Sequence, residues 1–189
     1  MKKLVPMLVL LGWIFTACSN PSKIDLPDDS IYHLTSKWEN QDGKFMQLDQ
    51  LKGNVVVMVM IYTNCRTACP RLTADMRDIH NKVGNKHLKN MKYVLVSIDP
   101  EFDTPAKMKE YLNRYKFTGN EWLFLRSSEA NTRELANVLA VKYKEISPID
   151  FSHSNIISVF SKEGHLAYQK EGLNIDIDGT VSQIKEQFN

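Results

Sequence analysis

The 189 residues include 24 lysines and arginines against 22 aspartates and glutamates, for a formal net charge of +2. That length suits one domain with a real core. A near balance of charge with no basic face excludes a nucleic-acid binder.

The chain begins Met1-Lys2-Lys3, a positive start, followed by an apolar run over residues 4–15 that is too short and too early for a spanning helix. Phe15-Thr16-Ala17-Cys18 then places small residues directly before a cysteine. The pattern resembles a bacterial lipoprotein cleavage box. Residues 1–17 are therefore expected to be a signal peptide, with Cys18 as the acylated first residue of the mature chain. An uncleaved N-terminal anchor is the alternative, and both export the domain and hold it at a membrane. Loss of Lys2 and Lys3 would bring the side-chain charge to zero. Residues 18–30 are polar, proline-punctuated and without period, which reads as a tether. The folded domain is expected over residues 31–189.

Two short strands, residues 35–39 and 44–48, flank Asn40-Gln41-Asp42-Gly43, a hairpin signal with glycine at the turn. Residues 55–61 are apolar at every position, as a central strand covered on both faces requires. Leu72, Met76, Ile79 and Val83 share one helix face in a segment starting at Pro70. A second buried strand spans 93–98. Thr104-Pro105 then caps a helix carrying Met108, Tyr111, Leu112 and Tyr115. A third strand spans 122–125, and a helix over 129–140 turns Leu135, Val138 and Leu139 inward. Residues 155–160 and 166–169 form a hairpin about Lys162-Glu163-Gly164, and Ile177, Val181, Ile184 and Phe188 stripe a last helix. Strands alternating with helices, then a hairpin and a closing helix, define an α/β layer architecture. By analogy it matches a thioredoxin-like fold with an added N-terminal β-hairpin. Met58, Met60 and Met76 fall at core positions and are read as packing rather than as ligands.

The candidate site lies in Tyr62-Thr63-Asn64-Cys65-Arg66-Thr67-Ala68-Cys69-Pro70, between the first buried strand and the helix that follows. Cys65 and Cys69 are neighbours if both lie on one helical turn. If the helix starts only at Pro70, the intervening turn must bring the sulfurs together, because a residue before proline resists the helical region. The pair offers a reversible disulfide, a two-sulfur metal clamp, or both. A bridge closing so small a loop removes little unfolded-state entropy, which disfavours a purely structural staple. Sites in open α/β sheets form outside the carboxyl ends of the strands. Cys65 follows the first core strand, Asp99 ends the second, and His153 enters an antiparallel strand at the same edge. Two thiolates and an imidazole suit Cu(I), and hold Cu(II) with a weaker extra ligand. Zinc would accept the same donors, with Asp99 closing a fourth position. His33, His80, His87 and His165 lack such company and are read as solvated or structural. Asp103 is read as a turn residue before the Thr104 cap.

The Tyr62–Pro70 stretch, then Val96-Ser97-Ile98-Asp99-Pro100-Glu101-Phe102-Asp103-Thr104-Pro105, then His153-Ser154, together resemble the Sco/SenC family of copper-binding assembly proteins over roughly residues 40–170. The resemblance implies a membrane-tethered thioredoxin-like domain that binds copper through Cys65, Cys69 and His153, with Asp99 in a supporting acidic role. It implies service to the binuclear copper centre of respiratory cytochrome c oxidase, by metal delivery or by reduction of its cysteines. The partners would then be the copper-centre subunit and, through the lipid on Cys18, the periplasmic face of the inner membrane. One departure is local: the family commonly has proline after the first cysteine, and this chain has Arg66. A guanidinium there favours thiolate over thiol. The competing function is an extracytoplasmic thiol-disulfide oxidoreductase or thiol peroxidase, with Cys65 as nucleophile and Cys69 as resolving thiol. An inert domain with a structural Cys65–Cys69 disulfide is the third.

Overall fold

The structure is a computed structural model that describes residues 26–147 and 150–188. The expected signal peptide, Cys18 and most of the tether lie outside the described residues. Among those described, no helix is long and apolar enough to cross a membrane.

A short 3-10 turn, Ile31–His33, precedes the N-terminal hairpin of β1 (Lys37–Asn40) and β2 (Phe45–Gln47). Gly43 closes it at φ 73°, in the left-handed region that a side chain resists. After a second 3-10 turn, β3 (Val55–Ile61) runs into α1 (Ala68–Val83) and the short α2 (Asn85–Leu88). Next come β4 (Met91–Ser97), α3 (Pro105–Arg114), β5 (Trp122–Arg126) and α4 (Glu129–Val138). A small hairpin, β6 (Tyr143–Ser147) and β7 (Asp150–His153), leads to β8 (Ile156–Phe160), β9 (Leu166–Glu171) and α5 (Ile177–Glu186).

The main sheet has the order β2-β1-β5-β4-β3-β8-β9. Strands β3, β4 and β5 are parallel neighbours, while β8 runs antiparallel to β3 and β1 antiparallel to β5. The carboxyl ends of β3 and β4 therefore open on one edge of the sheet, and the chain reaching β8 starts from that edge. Every residue of β3 is buried, as its unbroken apolar run requires. Met58, Met60 and Met76 are in this core, at 1% exposure or less. The N-terminal hairpin belongs to the same sheet: Glu39 pairs with Arg126 in register and by an ion pair at 2.7 Å.

Three expectations are corrected. The helix expected from Pro70 begins two residues earlier, at Ala68, and takes Cys69 into its first turn, because proline there forfeits no intrahelical bond. Helix α4 stops at Val138, and Val138 is 46% exposed where an inward position was expected. The buried stripe of that segment is Thr132, Leu135, Ala136 and Leu139. Its stop is a left-handed Ala140 (φ 53°), with the Val141 amide donating to the Ala136 carbonyl and the Ala140 amide to that of Asn137. Lys116 (φ 61°) ends α3 in the same way. Such ends normally carry glycine, so neither was visible in the sequence.

Candidate metal centre

The loop after β3 is short, and the N-terminus of α1 has no ordinary side-chain cap. Cys65 supplies one instead: its sulfur accepts a hydrogen bond from the Cys69 amide at 3.3 Å. Unpaired amides at a helix start favour negative charge, so the first cysteine is held where a thiolate is stabilised. Cys69 occupies the first turn of α1, fully buried, while Cys65 is 8% exposed. Both are free thiols.

The third donor arrives on the β6–β7 hairpin. This pair forms a separate two-stranded sheet, with Tyr143 opposite His153. His153 ends β7, with two residues between it and the start of β8. Its Nδ1 faces the Ser154 carbonyl at 3.0 Å, and its Nε2 lies 3.4 Å from the Cys69 sulfur. One side chain ties this arm to the cysteine loop. The Tyr62 hydroxyl donates to the Asp150 carboxylate at 2.5 Å and accepts from the Phe151 amide at 3.3 Å. The Tyr62 ring also meets Phe151 edge-on. Tyr62→Phe is expected to loosen the arm by about 1–3 kcal/mol, the cost of leaving polar partners unsatisfied. Faster amide exchange over residues 143–153 with unchanged exchange in β3 and β4 would show it; equal rates in both proteins would contradict it.

The two sulfurs and an imidazole nitrogen lie within 4.8 Å of one another, the only such cluster among the described residues. Hydrogen bonding from Cys69, His153 and nearby amides outweighs burial and holds the Cys65 thiol well below its ordinary range. Burial, then the hydrogen bond to Cys65, pushes the Cys69 thiol up. The two thiols are thus unequal, with Cys65 the one favoured as thiolate and Cys69 the one favoured as thiol. The donors fit a soft metal ion: two polarisable sulfurs and one neutral nitrogen, on the scale of a single coordination sphere.

Asp99 is not in that cluster. It lies two residues past the end of β4, accepts a hydrogen bond from the Phe102 amide at 3.3 Å, and shares a cleft with Tyr143, Glu145 and Phe151 of the hairpin. Burial raises its carboxyl, and Glu101 and Glu145 add to the effect. The acidic residue that sequence reasoning passed over is Asp103. It is fully buried, accepts from the Ser97 hydroxyl at 2.6 Å and the Thr63 amide at 3.2 Å, and is also bonded by the Thr63 hydroxyl. Its carboxylate fastens the loop after β3 to the end of β4, which sets where Cys65 stands. The only sequence signal for it was its place in the Asp99–Pro105 motif, where a turn explains an aspartate equally well.

Burial pushes the Asp103 carboxyl from 3.8 up to about 6, the hydrogen bonds from Ser97 and Thr63 offsetting only part of the cost. Between those values the folded chain keeps a proton that the unfolded chain has released. Stability therefore falls as pH rises through this window, by about 3 kcal/mol in all. Asp103→Asn should flatten that slope in urea melts from pH 4 to 7, and parallel slopes in the two proteins would contradict the assignment.

His80 contacts Glu121 at 3.0 Å and packs against Tyr93 and Trp122, and His165 pairs with Asp29. Neither approaches the thiols' cluster.

A mixed sheet with a dithiol at the strand-to-helix junction and an imidazole from the opposite connection defines a thioredoxin-like domain adapted to hold a soft metal. The model of the SCO1/SenC family matches residues 31–188, and the chain belongs to that family. It is 30% identical over 152 residues to the SCO1 protein homolog of Bacillus subtilis (strain 168), covering 78% of each chain. Among solved structures it is similar to BsSco, a member of the Sco family of cytochrome c oxidase assembly proteins in which a disulfide switch was identified. That match has a TM-score of 0.69 at 29% identity, over 80% of this chain and 90% of BsSco. The Arabidopsis thaliana ScoI structure with copper bound shares the fold at a TM-score of 0.70 and 22% identity, over 80% of this chain and 96% of ScoI.

Proposed function

We propose that this chain is a membrane-tethered copper metallochaperone that assists assembly of the binuclear copper centre of cytochrome c oxidase. The observation that carries the reading is the convergence of Cys65, Cys69 and His153 within 4.8 Å from two separate segments of the chain. Bound copper would supply a soft, transferable cation held by two sulfurs and one nitrogen. The protein's own part is to keep one sulfur as thiolate at a helix start, to bury the other, and to bring His153 across on a hairpin arm. Asp99, beside that arm, would act on its position rather than on the metal. The family assignment and the copper-bound ScoI relative support the metal, and BsSco supports the oxidase role.

The unequal thiols favour a second reading, dithiol exchange. A stabilised thiolate with a buried partner suits attack followed by resolution to a Cys65–Cys69 disulfide. The two roles separate in a strain lacking the chain. Recovery of oxidase activity on added copper supports delivery. Recovery on a membrane-permeant reductant alone supports thiol reduction, and a fully active oxidase without either would overturn both.

The lipid tether on Cys18 places the domain outside the cytoplasm, at the inner membrane where an oxidase partner lies. Cys18→Ser is expected to move the protein from the membrane to the soluble fraction. An unprocessed, membrane-bound variant would show instead that residues 1–17 act as the anchor.

A further inference from the structure

The site has two differently charged flanks. On the hairpin side, the cleft containing Asp99 is lined by four carboxylates and one arginine. On the other side, a cavity of about 340 Å³ opens beside Cys65, with Arg66, Lys107 and Arg114 against a single carboxylate, Glu110. Glu110 is already engaged by Arg114 at 3.0 Å, and Arg66 has no ion-pair partner among the described residues. Phe102 adds an apolar wall, with the Lys107 ammonium 3.0 Å from its ring centroid. Cys65 borders this cavity and is the more accessible thiol, whereas Cys69 lies behind it, fully buried. The size falls at the lower end of small-molecule sites, about 300 Å³ and upward.

We propose that this cavity binds the anionic end of a small carboxylate-bearing thiol in its disulfide form and presents a sulfur to Cys65. The net positive lining selects the carboxylates, and the acidic cleft across the site repels them. The Cys65 thiolate attacks one sulfur of R–S–S–R, forming Cys65–S–S–R and releasing R–S⁻. Cys69 then gives up its proton and attacks the Cys65 sulfur, expelling the second R–S⁻ and closing the Cys65–Cys69 disulfide. The protein pair, one thiolate and one thiol, loses two electrons and one proton, and the small disulfide leaves as two R–S⁻ that take up that proton and a second from water. The step rests on Cys65 and Cys69 acting as an exchanging dithiol, the second reading above, and is independent of copper.

The test is the second-order rate at which the fully reduced, metal-free full chain is oxidised by three disulfides. These are oxidised glutathione (anionic), bis(2-hydroxyethyl) disulfide (neutral) and cystamine (cationic). Each is measured on the wild type and on Arg66→Gln/Lys107→Gln. The anionic-to-neutral rate ratio is expected to fall about 10-fold in the double variant, and the cystamine-to-neutral ratio to rise. Because the neutral disulfide reports any change in the thiol itself, the ratio isolates the cavity. An unchanged ratio overturns the cavity proposal and leaves the dithiol reading standing. No oxidation by any of the three overturns both.

Discussion

His153→Ala is expected to lower Cu(I) affinity by more than about 100-fold, the upper end of what loss of an outer-sphere partner alone costs a metal site. The two sulfurs remain where Thr63, Asp103 and the start of α1 hold them, since none of those contacts involves the histidine. Cys65 and Cys69 should therefore still oxidise and reduce. The nitrogen donor cannot be replaced from nearby, because no other histidine, cysteine or carboxylate joins the cluster among the described residues. A competition titration against a chromophoric Cu(I) chelator reads the affinity, and a thiol count before and after mild oxidation reads the dithiol. Unchanged affinity would remove His153 from the ligand set and leave a two-sulfur clamp.

Trp38→Ala should cost about 3–5 kcal/mol, the range for emptying a large buried aromatic site. Trp38 is fully buried although it belongs to the N-terminal hairpin, and its indole N–H donates to the Ser36 hydroxyl at 3.1 Å. β1 bonds to β5 at the end of the main sheet, so the cavity would open in the shared core. A shift in the urea midpoint with an unchanged slope would carry this result. A change below about 1 kcal/mol would mean that the hairpin is an appendage.

The parts legible in the sequence were those with one strong physical cause. An unbroken apolar run has few solutions other than a strand covered on both faces, and β3 is that strand. Leu72, Met76, Ile79 and Val83 all point into the core because their spacing leaves α1 no other way to hide them. The convergence of Cys65 and His153 followed from topology, since the end of a parallel strand and the approach to its antiparallel neighbour share an edge.

What escaped notice had a weak local cause. The β6–β7 hairpin has no apolar stripe: Lys144 and Glu145 are exposed, as is Ile146 at 61%, and its anchors are tertiary, the tie from Tyr62, the packing of Phe151 and Tyr143 and the His153–Cys69 contact. Asp103 looks like any aspartate before a helix cap, and its burial is decided by Thr63 and Ser97, distant in sequence or hidden at a strand end. Helix ends at Lys116 and Ala140 use residues that do not announce a left-handed turn. In each case tertiary contacts select a conformation that the local sequence merely permits.

One copper ion is expected to be held by two sulfurs from the cysteine loop and one nitrogen from the hairpin arm. X-ray absorption of the reduced protein loaded with one equivalent of Cu(I) tests it most directly. Two sulfur scatterers and one imidazole nitrogen are expected in the first shell, with the nitrogen lost in His153→Ala. A shell of sulfur alone in the wild type, or a nitrogen that persists in the variant, would contradict it.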